Sequence, residues 1–271
     1  MNDIQTDPQV ERILGEQDAY RDAPPAALPR MMRGFSKPIG LLTHRLIPSE
    51  AIEIAIRGAD WAASSSIRKA AIAHNFSNLE DCEEAVAEVR RWALGYAVTG
   101  GGAAGAFGAF GLALDVPATI ALALRTVRLT GLCYGFGDDS EVERVYILDV
   151  LNLAGANSTE EKAEALKRLE KDRSEIDPDS WQKIVKLTGQ TSGTLAATRR
   201  VATTLGVNLS TRKMAQVTPI IGAAVGAGVN ATFQNDVAVA ARYAYRSRWL
   251  LLNAGIIEGR SEVLEAKGRR S

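Results

Sequence analysis

The chain has 271 residues, of which 46% are apolar and 24% charged, a composition that excludes extended disorder and allows a hydrophobic core. Its 32 basic and 32 acidic side chains give a net charge of zero, so no binding to nucleic acid is indicated. Two cysteines and two histidines exclude a disulfide framework and argue against a zinc site. The first ten residues contain neither a basic nor an apolar segment, so we expect no secretory signal and a cytoplasmic protein.

The N-terminal region, residues 1–47, is predicted to form an arm on the rest of the chain. Residues 1–23 carry six acidic side chains, which is typical of a short solvated helix or a loose segment. Five of the nine prolines lie in residues 24–48, and their spacing interrupts any long helix. We therefore expect only broken helical turns in this second part of the arm.

Helix-start signals recur after the proline-rich segment. Ser77 with Glu80 and Ser158 with Glu161 have the spacing of a capping box, in which two side chains bind the free backbone N–H groups of a first turn. Ser140 precedes a further helical pattern and is predicted to cap it.

Another helix is predicted to begin at Asp115, because an acidic N-cap followed by Pro117 in the first turn is a helix-start signal. Gly135 suits the position just after the end of that helix. Signals for strands and hairpins are scarce. We predict an all-α fold: one helical domain over residues 48–255, built around two Gly/Ala-rich apolar helices, with a charged tail over residues 256–271.

Two segments of 22 residues, Ala93–Leu114 and Met214–Asn235, contain no Lys, Arg, Asp or Glu. Glycine inside a helix is less stable than alanine by roughly 1 kcal/mol, so its frequency here needs a reason. Helices without side chains on a shared stripe can pack unusually closely. We expect the two segments to face each other or a common helix through Gly101, Gly105, Gly222 and Gly226.

Three interpretations of these segments compete. In the first, the segments are a buried pair of helices in a soluble bundle. In the second, they contact or enter a membrane, because a helix of 22 uncharged residues is long enough to span a hydrocarbon core of about 30 Å. The third interpretation is a phosphate-binding loop, because Gly100, Gly102 and Gly105 fit the pattern G-x-G-x-x-G. That pattern binds dinucleotides only between a strand and a helix, and no strand is predicted before it. No cofactor is therefore predicted.

A polar cluster is predicted between the apolar helices. Asp115 is the only charged residue between Ala93 and Leu124, and a buried lone carboxylate must cap, pair or become protonated. N-capping explains it, and an ionic lock between the Gly-rich helices is the alternative. The candidate residues are Asp115, Arg125, Arg128, Asn230 and Asp236.

No catalytic or metal-binding residues are predicted. His44 and His74 have no partner at helical spacing, so each is expected at a surface or a helix end. Cys82 and Cys133 lie on apolar helical faces and are expected to be buried structural thiols.

Two segments, 30–37 and 242–252, combine cations with apolar or aromatic side chains. Such mixtures suit an anionic lipid surface, where each nearby cation contributes about 1 kcal/mol and aromatic rings lie at the level of the headgroups. An ordinary helix whose arginines reach out to water has the same composition. The predicted docking residues are Arg30, Met31, Met32, Arg33, Phe35, Lys37, Arg242, Tyr245, Arg246, Arg248 and Trp249.

These motifs also occur in a particular order. A Gly-rich apolar run comes first and is followed by Asp115-Val116-Pro117 and then by Cys133-Tyr134-Gly135-Phe136-Gly137. A segment rich in charged residues comes next. The last motifs are Pro219–Asn230, Arg242 and Arg248-Trp249-Leu250. Across roughly residues 45–255 this order resembles the EcsC family of bacterial proteins. The matching positions, taken as architectural, are Asp115, Pro117, Arg125, Tyr134, Gly135, Gly222, Gly226 and Asn230.

The resemblance implies a mostly helical, membrane-associated protein from a family named after a companion of an ABC transporter operon, and it implies no catalytic residues. We therefore expect a non-enzymatic protein bound peripherally to the cytoplasmic membrane face or to a membrane protein, in an accessory role in transport or secretion. An ABC transporter is one candidate partner. The alternatives are an enzyme or small-ligand binder with a polar pocket between the Gly-rich helices, and a self-associating assembly module.

Overall fold

The computed structural model describes residues 8–25, 53, 56–57, 74–106, 108–137, 140–174, 190–213 and 222–254. The regular elements in these ranges are helices, which confirms the all-α prediction. The helices are α1 (Pro8–Asp22), α2 (Leu79–Ala106), α3 (Gly108–Cys133), α4 (Glu141–Gly155), α5 (Thr159–Ser174), α6 (Gln190–Lys213) and α7 (Gly222–Trp249), which ends in a π-helical turn, Leu250–Ala254.

Helix α7 is the central element, and α2 is its most extensive neighbour. The two helices are antiparallel: Arg90 of α2 donates to Asn235 (Nε to Oδ1, 3.1 Å), and Arg242 donates to Glu83 (Nε to Oε2, 2.6 Å). The described parts of the Gly-rich segments therefore belong to helices that pack against each other. The side chains of residues 101–115 and 222–227 lie outside the described part, so the predicted role of Gly101, Gly105, Gly222 and Gly226 stays a prediction.

Helix α3 forms a hairpin with α2 and runs parallel to α7. The Gln234 amide donates to the Thr119 carbonyl oxygen (2.9 Å), and a Cβ built on Gly131 would lie 2.7 Å from the Tyr245 ring. These pairs bring the C-terminal end of α2 to the N-terminal ends of α3 and α7. We call this the charge-free end, because residues 92–106, 108–114 and 222–235 contain no charged side chain.

The hydrophobic core lies between α7 and its neighbours α2, α3 and α4, with α6 packed on α4. Its fully buried residues include Leu124 of α3, Leu151 of α4, Leu205 of α6 and Phe233 of α7. Fully burying such a side chain stabilises the fold by about 1.5–3 kcal/mol. The core thus extends along the side of α7 that faces α3 and α4.

The helix ends show which local signals were correct. Ser140 caps α4 by accepting from Glu143 N (3.2 Å), and Ser158 accepts from Glu161 N (3.1 Å), as predicted. Helix α3 ends at Cys133 and Gly135 has φ +82°, a left-handed conformation that glycine adopts without strain. The prediction for Ser77 is wrong, because Asn78 caps α2 by accepting from Glu80 N (2.9 Å).

The predicted helix start at Asp115 is also wrong. Helix α3 begins at Gly108, so Pro117 lies inside the helix and Asp115 is not its N-cap. An interior proline costs about 3 kcal/mol, and the packing of α3 against α2 and α7 outweighs this local preference. The segment Ala93–Leu114 is consequently divided between α2 and α3, and is not one membrane-length helix.

Candidate functional site: a buried ionic network

The C-terminal half of α7 carries two arginines on one face that bind carboxylates from two other helices. Arg246, whose side chain is 2% exposed, contacts Glu83 of α2 (Nε to Oε1, 2.9 Å) and Glu16 of α1 (Nη1 to Oε2, 2.9 Å). Arg242 contacts the same two carboxylates, at 2.5 Å for Glu83 and 3.3 Å for Glu16. We call this set the Glu83 cluster; it joins α1, α2 and α7.

Burial and neighbouring charges shift the pKa values of Arg246 and Glu16 in opposite directions. Burial opposes ionisation of Arg246, but the Glu83 charge, Tyr134 and the hydrogen bond to Glu16 together outweigh it and raise the Arg246 pKa. Burial likewise acts to raise the pKa of Glu16, but the hydrogen bond and charge of Arg246, with the charges of Arg242 and Arg12, together outweigh it and lower that pKa. The Tyr134 hydroxyl donates to Glu83, and burial together with this carboxylate raises the Tyr134 pKa. Arg246 and Glu16 thus stay charged, and Tyr134 stays neutral.

A second cluster surrounds Glu143, which is buried at the start of α4. Arg248 donates to one carboxylate oxygen (2.6 Å) and the Tyr245 hydroxyl to the other (2.6 Å). The Arg248 guanidinium also lies 4.2 Å from the centre of the Phe136 ring and 5.2 Å from that of Tyr146. We call this set the Glu143 cluster; with the Glu83 cluster it forms the ionic network.

The chemistry of the network is mutual neutralisation. Each of its three carboxylates, Glu16, Glu83 and Glu143, faces at least one guanidinium, and each is engaged by a hydrogen-bond donor. Such an arrangement fixes the relative positions of helices and leaves none of these carboxylates as a ready base. Among the residues that the structure describes, no three His, Cys, Asp or Glu side chains are grouped so as to hold a metal ion.

Two clefts lie beside α1 and α7, and the larger of them borders the network. One, of about 460 Å³, lies between α1, α2 and α7 and is lined by charged side chains including Arg12, Glu84 and Arg90. The other, of about 170 Å³, lies beside Lys162 and Asp236.

A sequence model of the EcsC protein family matches residues 35–250. The chain belongs to the EcsC family. The Bacillus subtilis (strain 168) protein YdbA, described as uncharacterized, is 27% identical over 157 residues, which are 56% of this chain and 52% of that protein. The chain thus spans about half the length of this relative. No solved structure matches.

The EcsC match covers most of the network but not all of it. Glu83, Glu143 and the arginines of α7 lie inside the matched region, whereas Glu16 and all of α1 precede it. Helix α1, predicted as a solvated helix or a loose segment, is docked: it buries Ile13 and Gln17. The family domain therefore carries an additional N-terminal helix on its α7 face.

The predicted docking surface at residues 242–252 requires correction. Tyr245 is fully buried, Arg246 lies within the Glu83 cluster, and Trp249 is 8% exposed and donates to the Phe76 carbonyl oxygen (2.7 Å). Arg248 is held by Glu143, and Arg242 is half-buried. Apart from the half-exposed Arg242, these side chains face acidic and aromatic partners inside the protein, not a free surface. The other predicted segment, Arg30–Lys37, lies outside the described residues.

The structure describes four of the five side chains of the predicted ionic lock between the Gly-rich helices. The Arg125 guanidinium lies 4.9 Å from the centre of the Trp92 ring of α2, and Arg128 and Asn230 are buried. Asp236 lines the smaller cleft, and the Asp115 side chain lies outside the described part, so the lock stays a prediction. Neither of the two clefts is lined by Arg125, Arg128 or Asn230.

The remaining candidates are the two cysteines and the two histidines. Cys82 and Cys133 are buried, and burial raises their pKa values to about 11 and about 12. His74 lies in a bend before α2, with Nε2 2.7 Å from the carbonyl oxygen of Cys133, the last residue of α3. His44 lies outside the described residues.

Sequence reasoning missed Glu16, Glu83, Glu143 and Lys162. Each lies in a segment whose charge is typical of a solvated helical face. Their partners on α7 or α1 are about 100 or more positions away in the sequence. Glu143 and Tyr245 are 102 positions apart, and Glu16 and Arg246 are 230 positions apart. No local pattern signals such pairs.

Proposed function

We propose that this EcsC-family protein is a non-enzymatic, peripheral membrane protein of the cytoplasmic face, and that the charge-free end contacts the bilayer. The observation that carries the proposal is the division of the molecule into two ends. The ionic network holds together the end formed by the start of α2 and the end of α7, whereas the opposite end contains no charged side chain over three adjoining helix segments.

The exposed apolar residues at the charge-free end support this assignment. Between Gly95 and Thr99 of α2 only Ala97 is buried; Tyr96 is 58% exposed and Val98 50% exposed. Exposed tyrosine and apolar side chains of this kind suit the region where headgroups meet acyl chains.

Cations and an aromatic pair lie next to this segment. Arg91 is exposed one helical turn before Gly95, and the rings of Trp92 and Tyr96 are 4.7 Å apart. A cation near an anionic lipid surface contributes about 1 kcal/mol. The arrangement therefore supplies apolar and aromatic contact from neighbouring positions of one helix, next to an exposed arginine that is paired with Glu88.

The lengths of the helices favour peripheral contact over a permanent span. The uncharged part of α2, residues 92–106, is about 22 Å long, which is shorter than the roughly 30 Å of a hydrocarbon core. Within the described residues one segment, Val116–Cys133, is long and apolar enough to cross a membrane, but 61% of it is buried in the protein.

The test is sedimentation with vesicles of phosphatidylcholine containing anionic phosphatidylglycerol, at low salt. We expect the wild-type chain to bind and the double variant Tyr96→Ser/Val98→Ser to bind at least tenfold more weakly. Leu252→Ser is the matched control, because Leu252 is an exposed apolar residue (59%) after α7, far along the bundle from Tyr96. We expect it to bind like wild type.

Two outcomes would contradict the proposal. Absence of binding to anionic vesicles at low salt would remove the lipid assignment, and equal loss in both variants would remove the assignment to the charge-free end. Sedimentation with native membranes but not with lipid vesicles would instead indicate a membrane protein as the partner. Light scattering without detergent checks for self-association through the same end.

A further inference from the structure

Helix α1 lies outside the EcsC match and contacts the matched domain through specific polar groups. The Gln17 amide, which is buried, donates to the Tyr243 carbonyl oxygen (3.0 Å) and to the Ser247 hydroxyl (2.8 Å) of α7. Next to it, Glu16 binds Arg246 and Arg242. An amide and a carboxylate in adjacent positions are thus matched by complementary groups on one face of α7.

The C-terminal end of α1 is recognised as well. Lys162 of α5 donates to the carbonyl oxygens of Tyr20 and Ala23, the latter at 2.6 Å. A cation at this position also interacts favourably with the negative end of the helix dipole. The Tyr20 ring packs on Tyr243 with 4.6 Å between the ring centres.

Apolar contacts of α1 are few by comparison. Among the side chains of residues 11–22, which the structure describes, Ile13 is the buried apolar one, and Leu14 and Tyr20 are partly buried. The helix carries four acidic and two basic side chains, and the larger cleft separates it from part of α2. Detaching a segment that buries little apolar surface costs only a small fraction of the free energy of global unfolding.

We infer that Arg242, Tyr243, Arg246 and Ser247 of α7, together with Lys162 of α5, form a binding groove for an acidic amphipathic helix. Helix α1 occupies this groove within the chain, and a partner helix occupies it after displacing α1. The partner presents an apolar residue, then glutamate and glutamine three and four positions later, and an aromatic residue seven positions later, as in Ile13, Glu16, Gln17 and Tyr20. Recognition of such a helix by its spaced side chains is a common mode of peptide binding.

The test uses the full-length chain and a fluorescein-labelled peptide with the sequence of residues 8–23. In the Glu16→Lys chain a lysine faces Arg242 and Arg246, so α1 is expected to leave the groove. Glu11→Lys is the matched control, because Glu11 is an exposed residue of the same helix and the charge change is identical. Fluorescence anisotropy measures peptide binding, and hydrogen exchange measures protection of α1.

We expect the Glu16→Lys chain to bind the peptide at least tenfold more tightly than the wild-type chain, with rapid exchange confined to α1. The Glu11→Lys chain should behave like wild type, and a peptide carrying Gln17→Ala should bind at least fivefold more weakly. A full-length Gln17→Ala chain, which keeps the native charges, provides a second way to loosen α1.

Three results would overturn the inference. They are protection of α1 as strong as that of α7 in both loosened chains, release of α1 without saturable binding of the peptide, and equal binding of the native and Gln17→Ala peptides. None of these measurements depends on lipid binding, so they can fail while the proposed membrane contact holds.

Discussion

The Glu143 cluster offers the sharpest test of how the ionic network stabilises the protein. Glu143→Ala removes the carboxylate that binds Arg248 (2.6 Å) and accepts from the Tyr245 hydroxyl (2.6 Å). The matched control is Glu88→Ala on α2, which removes a carboxylate paired with Arg91 in solvent. Both changes delete the same atoms from a helix and both break one ion pair.

The difference between them follows from burial. The side chains of Glu143 and Arg248 are 4% and 12% exposed, whereas those of Glu88 and Arg91 are 69% and 67% exposed. Removing one partner of a buried pair leaves the other charge desolvated and costs about 3–5 kcal/mol. Breaking a surface pair costs less than about 1 kcal/mol.

Urea unfolding followed by circular dichroism measures both free energies, and a thermal scan gives the Tm. We expect Glu143→Ala to lower the unfolding free energy by about 4 kcal/mol and the Tm by roughly 10 °C, and Glu88→Ala to change either value little. Glu143→Gln, which still accepts from Tyr245, should lie between them. If Glu143→Ala were no more destabilising than Glu88→Ala, the cluster would not be a buried ion pair that the fold depends on.

Three further predictions concern single side chains. Gly131→Ala should destabilise the protein by about 1–2 kcal/mol, because the new Cβ would lie 2.7 Å from the Tyr245 ring; urea unfolding measures this. Gly95→Ala should have the opposite sign and stabilise α2 by about 0.5–1 kcal/mol in the same assay, since nothing lies within 4 Å of its Cβ position. Native Cys82 and Cys133 should resist iodoacetamide at pH 8 and react on unfolding, as mass spectrometry can show. Their raised pKa values, about 11 and about 12, also mean that stability falls as pH rises from about 9, where unfolded thiols ionise, to about 12.

Local signals in the sequence predicted the fold class and several helix ends. Ser140, Ser158 and Gly135 act within one turn of their own position, so their chemistry can be read without knowing the rest of the fold. The same reasoning failed at Pro117, where long-range packing of α3 overrides a local start signal. The family was also predicted correctly, from the order of the motifs.

The ionic network could not be predicted in this way. The mixture of cations and aromatic residues in 242–252 is the same whether the helix faces lipid or a protein interior. What decides between them is the position of Glu16, Glu83 and Glu143, which come from three other helices. A single sequence does not contain the spatial proximity of these carboxylates to α7.

The central place of α7 affects how the chain folds during synthesis. Helices α2, α3 and α4 all pack on α7, and the pairs Glu83–Arg242 and Glu16–Arg246 join residues 159 and 230 positions apart. A nascent chain on the ribosome therefore exposes the apolar faces of its earlier helices until residues 222–249 have emerged. The ribosome adds 143 residues between the end of α2 and the end of α7. At about 5–20 residues per second this waiting period lasts roughly 7–29 s, during which a chaperone has a surface to bind.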